Sequence, residues 1–71
     1  MLAYRLTARD MRHARSARDT FAQAWYDCRR TQQAVTVWFW DAITDPVEPG
    51  WVLRTYQFAD GAVTWSDERA S

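Results

Sequence analysis

Asp60-Gly61 lies between two stretches of alternating apolar and polar residues, "WVLRTYQFA" and "AVTWSDE". A two-residue type I′ turn needs positive φ at both central positions, and Asp-Gly is among the pairs that tolerate it, so this dipeptide predicts a tight antiparallel hairpin. The turn also fixes which residues meet. With Asp60 and Gly61 as the loop, Tyr56 faces Trp65, Phe58 faces Val63 and Arg54 faces Asp67 on one side. Thr55, Gln57, Thr64 and Ser66 take the other. The first side is apolar and calls for a cover.

The cover is read from residues 7 to 33, which contain neither Gly nor Pro. Ala14, Ala17, Phe21, Trp25, Cys28 and Gln32 recur at three- and four-residue steps, which puts Phe21, Trp25 and Cys28 on one face of a helix. Two starts are written in the chain. "TARD" and "SARD" each place a hydroxyl three residues before a carboxylate, the signature of a capping box. The reading favours a start at Ser16, with residues 8 to 15 as an irregular or helical lead-in. Ahead of it, "LAYRLT" alternates Leu2, Tyr4 and Leu6 against Ala3, Arg5 and Thr7, as a short half-buried strand does.

"AVTVWFWDAI" completes the pattern with a strand rich in β-branched and aromatic residues, followed by a connection, "DPVEPG". The expected fold is α+β: one helix packed on a small, mainly antiparallel sheet of three to four strands, in the order β-α-β-β-β, with residues 1–71 as a single small domain. If the connection from Asp45 to Gly50 closes a hairpin with Thr44 opposite Trp51, Phe39 faces Tyr56, Val37 faces Phe58, and Asp41 comes beside Arg54. Arg54 then stands between Asp41 and Asp67. Trp38 and Trp40 fall on the face away from the helix, across from Gln57 and Thr55. A shift of one residue would turn every side chain over and make both tryptophans core residues.

Composition sharpens that question. Five Trp among eleven aromatic residues exceed what the core of a 71-residue chain readily takes in. Trp38 and Trp40 are therefore candidate partner-binding residues. A second candidate surface is basic: Arg9, Arg12, Arg15 and Arg18 recur every three residues, a winding stripe if helical and a flexible arm if not. Either form suits phosphates or an acidic protein, and the bland reading is a solvated face with Asp10 and Asp19 as local partners. Formal charge is zero, but residues 1–40 carry seven Arg against three Asp, net +4, and residues 41–71 carry two Arg against four Asp and two Glu, net −4.

Catalysis finds little support. His13 and Cys28 are the candidates for a nucleophile pair, and fifteen residues of continuous helix would separate them by ~22 Å. Cys28 belongs to the apolar line, and its being the sole cysteine rules out an internal disulfide. Asp41, Asp60, Asp67 and Glu68 do not form a metal-binding spacing, and Gly50 and Gly61, the two glycines, make no phosphate-cradling loop. The reading is a non-enzymatic interaction module without cofactor or metal, cytoplasmic, with no membrane span or signal segment. A small nucleic-acid-binding protein, stacking bases on aromatics and neutralising phosphates with arginine, is the alternative. A homodimer that hides Trp38 and Trp40 against themselves would use the same surface.

The layout of a short strand "AYRL", a helix, a strand and a closing hairpin "GWVLRTYQFADGAVTW" resembles the very small phage-encoded anti-CRISPR inhibitors of type I systems. The resemblance rests on Gly50, Trp51, Leu53, Tyr56, Gly61 and Trp65, and it covers about the last 20 residues. This chain has no Lys, where the type I-F inhibitor it resembles uses lysines freely, and no contact residue is carried over. The resemblance implies a non-enzymatic inhibitor of a bacterial ribonucleoprotein, the CRISPR effector complex, acting by blocking its target nucleic acid.

Overall fold

A computed structural model describes residues 2–70. The chain is α+β, with strands β1 (Leu2–Leu6), β2 (Val35–Asp41), β3 (Gly50–Ala59) and β4 (Ala62–Arg69) in one sheet. Helices α1 (Ala8–Arg12) and α2 (Ala14–Thr31) connect β1 to β2. Strand order follows chain order: β1 pairs parallel with β2, and the other neighbours are antiparallel. The parallel pair follows from the helical connection, which returns the chain to the end of the sheet where it began.

The helical segment is two helices rather than one, and "TARD" rather than "SARD" is the cap. The Thr7 hydroxyl accepts from the Asp10 N–H, and the Asp10 carboxylate accepts from the Thr7 N–H at 2.8 Å, a complete capping box. That box starts α1, which stops at His13 with ψ at 88°. Ser16 lies inside α2, which begins at Ala14, so it caps nothing. At the far end Gln32 turns into the left-handed region at φ 57°, its N–H donating to the Cys28 carbonyl at 2.8 Å. Asp27 and Cys28 face inward, and the Tyr4 hydroxyl donates to the Asp27 carboxylate, tying β1 to α2. Gln23 and Arg30 donate to the same carboxylate, each at 3.1 Å.

The turn at Asp60-Gly61 forms as expected, with φ of 52° and 78°, and the β3–β4 pairs are those the turn dictates. The β2–β3 register is not. Phe39 pairs with Val52, Val37 with Arg54 and Val35 with Tyr56, while Trp40 opposes Trp51 and Trp38 opposes Leu53. The strand ends early because the Asp41 carboxylate accepts from the N–H groups of Ile43 and Thr44, both at 3.1 Å, and bends the chain into the connection. Relative to the expected pairing, the strands have moved by an even number of residues. Faces are therefore preserved while partners change.

Leu6, Val35, Val37, Phe39, Val52 and Tyr56 on the helix-facing side of the sheet, with Ala17, Ala24 and Cys28 of α2, make the buried core. Phe21 meets Phe39 edge to face at 5.1 Å. Arg54 does not bridge Asp41 and Asp67. Its guanidinium forks onto Asp67 at 2.7 and 2.9 Å, and the new register gives Asp41 to Arg69 at 3.4 Å.

Candidate functional site: an open tryptophan face

Alternation along β2 sends Val35, Val37 and Phe39 to the helices and Trp38 and Trp40 to the opposite side. The long helix α2 packs on the other side, and α1 reaches this face at its edge, where Met11 and Arg12 line a groove with Trp40. Pairing puts Trp51 directly across from Trp40 and diagonally from Trp38, a distance that indole side chains span. Trp51 stacks on Trp38 with centroids 5.5 Å apart and planes 2° from parallel. Trp40 meets Trp51 edge-on, also at 5.5 Å, with planes 79° apart. From β1, the Arg5 guanidinium carbon lies 4.8 Å from the centre of the Trp51 ring.

The three rings are half-buried, and each shields part of its neighbours. They are neither core residues, as a one-residue slip would have made them, nor isolated exposed rings. Around them lie Thr36, Leu53 and Thr55, and Glu68, paired with Leu53, brings a carboxylate to the same side beside Trp38. The surface is thus an aromatic platform with the Arg5 guanidinium on it and the Glu68 carboxylate at its edge, suited to burial against a complementary, largely apolar surface. Trp51 and Arg5 were missed by sequence reasoning as members of it. Trp51 could have been found, since it lies two residues before Leu53 on the same side. Arg5 could not, because its place depends on β1 pairing with β2.

The four arginines are divided by the fold. Arg9 and Arg12 belong to α1, Arg15 and Arg18 to α2, and the break at His13 interrupts any single stripe. All four are exposed. Helical geometry turns Arg15 to the side of α2 opposite Ala17 and Ala24, so it lies in a different layer from Trp38. Arg12 alone of the four shares a groove with Trp40, which Met11, Ala42 and Ile43 also line. Arg18 approaches Asp19 at 3.9 Å with both side chains in solvent.

Chemistry elsewhere is sparse. Cys28 is fully buried and burial pushes its thiol pKa up, away from the nucleophilic thiolate. His13 stands at the start of α2, many turns from it. Among the described residues no group of three His, Cys, Asp or Glu side chains is placed to hold a metal ion, and no helix is long and apolar enough to cross a membrane. No known protein family, curated protein or solved structure matches this chain.

Proposed function

We propose that the chain is a non-enzymatic interaction module that binds a macromolecular partner through the outer face of its sheet. The observation that carries this reading is the Arg5, Trp38, Trp51 and Trp40 cluster, half-buried on the face of the sheet away from α2. Tryptophan and arginine are the residue types that most often dominate binding energy when they lie at the centre of an interface. A protein surface fits this platform better than a nucleic acid does. Trp38 and Trp51 already occupy one face of each other's ring, and Arg5 is the single cation in ring contact on that side, whereas single-strand binding combines free stacking faces with a basic groove.

Following the sequence resemblance, the most concrete form of this reading is a phage counter-defence inhibitor, cytoplasmic, whose partner is a CRISPR effector complex and whose effect is to keep target nucleic acid out. Expression of the chain in CRISPR-active hosts of types I-E, I-F and I-C should protect an otherwise targeted phage, and Trp51→Ala should abolish protection. Absence of protection in all three hosts would remove the counter-defence reading. Binding to the isolated effector should change little with salt, as expected of an interface anchored by Trp and Arg. A steep loss with rising salt would instead favour the nucleic-acid-binding alternative through counterion release.

A further inference from the structure

At the end of the sheet where β1 stops, β2 runs on past Phe39 and α1 takes the empty place beside it. Between them is a groove of ≈ 430 Å³, within the ~300–1,000 Å³ that ligand pockets occupy. Its walls are apolar: Met11 from α1, Trp40 from β2, and Ala42 and Ile43 from the connection that follows. Ile43 is 77% exposed, a large aliphatic side chain left in water at the groove's mouth.

The rim is cationic and uncompensated. Arg12 lines the groove, and Arg9 stands one turn before it on α1. Nearby carboxylates are committed elsewhere. Asp10 is held by the Thr7 N–H and hydroxyl at 2.8 and 2.9 Å, and Asp41 by Arg69 and two backbone N–H groups. Among the described residues Arg9 and Arg12 make no ion pair. An apolar trough with Arg12 on its wall and Arg9 a turn away selects for its opposite: a large apolar side chain with carboxylates beside it.

We propose that this groove seats an acidic segment of a polypeptide partner, with an aliphatic or aromatic side chain against Met11, Trp40 and Ile43 and carboxylates on Arg12 and Arg9. Nucleic acid suits it less, since Trp40 is the one ring available for stacking and the remaining wall is aliphatic. The groove shares Trp40 with the outer face but not Trp38, Trp51 or Arg5, so the proposal does not rest on the outer-face reading.

A random-peptide display library selected on the intact chain tests this whatever the identity of the partner. Enriched peptides should carry two or more Asp or Glu next to a Leu, Ile, Met or Phe. Arg12→Glu should weaken a synthetic enriched peptide by about tenfold or more, as loss and reversal of a charge pair does, and Ile43→Ser should weaken it while leaving the melting temperature in place. Trp38→Ala should retain the peptide, so a failed outer-face reading leaves this result standing and the reverse also holds. The proposal is overturned by no enrichment, by enriched peptides without acidic residues, by equal binding to Arg12→Glu, or by a single-stranded oligonucleotide that binds the groove in preference to the peptides.

Discussion

Arg54 has its guanidinium on a carboxylate and three rings at once: forked onto Asp67, it lies 4.9 Å from the centre of Phe21, 5.4 Å from Trp65 and 5.5 Å from Phe39. The Asp67 carboxylate is the main cause that pushes its already high pKa further up, so it is charged at every pH the fold survives. A lysine keeps the charge but neither the planar fork nor the ring stacking. Arg54→Lys should therefore cost about 1–2 kcal/mol in denaturant unfolding, and a midpoint equal to that of the unmodified chain would show that charge alone is what the site uses. The Asp67 contact was legible because Asp60-Gly61 fixes the β3–β4 pairs. The rings of Phe21 and Phe39 were not, because helix docking and the β2 register bring them in. At the turn itself Gly61 has φ of 78° with nothing within 4 Å of where a Cβ would stand, so a substitution meets backbone strain and no clash. Gly61→Val should destabilise by about 1–3 kcal/mol, and Gly61→Asn should recover most of it, since Asn tolerates that region. Equal melting of all three chains would contradict the turn.

The helices show how far local signals reach. The three- and four-residue period located the inward face of α2 through Ala17, Phe21, Trp25 and Cys28, while Ala14 and Gln32 at its ends are exposed and Ala24, outside the period, is buried. It did not show the break at His13, where neither Gly nor Pro stands, and of the two capping sequences the one favoured, at Ser16, is not the one used. That choice was made by β1, which ends at Leu6 and leaves Thr7 as the residue where a helix must start. Asp27, silent in the sequence, is the polar tie between the two layers. The Tyr4 hydroxyl is the main cause that holds its carboxyl below the usual carboxylate range, with Arg30 next and burial opposing both. The same bond raises the Tyr4 pKa. A depressed folded-state pKa means that the stability Asp27 contributes is present above the unfolded value of ~3.9 and is lost as pH falls through the folded one. For Tyr4 the sign reverses: its contribution is present below the unfolded value of ~10 and is lost as pH rises through the folded one. Tyr4→Phe removes the main support of the charged carboxylate, so it should melt lower at neutral pH and begin its acid loss at a higher pH. Melting curves collected from neutral pH to pH 3 should converge toward the acid end; parallel curves would show that Tyr4 and Asp27 are not coupled.

At the scale of the whole molecule, one sheet serves two unequal faces. The β2–β3 pairing expected from the connection was wrong in every partner, yet Trp38 and Trp40 lie on the side assigned to them. An even displacement changes neighbours and preserves faces, and this is why the candidate site was more legible than the register that underlies it. The helix-facing side holds the fold: Val37 is fully buried there, and Val37→Ala should cost about 2 kcal/mol or more of stability through lost burial and the cavity left behind. The outer side should behave in the opposite way. Trp38 is half-buried and stacked on a ring that stays in place when it is truncated, so Trp38→Ala loses contact area without opening a closed cavity. Its folding cost should fall below the ~3–5 kcal/mol of a core tryptophan, whereas loss of an interface anchor typically costs about 2 kcal/mol or more of binding. The paired variants therefore separate the two faces. Val37→Ala should unfold at a lower denaturant concentration and still protect phage at temperatures where it is folded, and Trp38→Ala should keep a cooperative transition and lose protection. Acrylamide should also quench Trp51 more readily in Trp38→Ala, because its stacking partner is gone. A Trp38→Ala chain that loses as much stability as a core variant, or one that protects phage undiminished, would make the outer tryptophans a structural layer and leave the groove beside α1 as the surface to pursue.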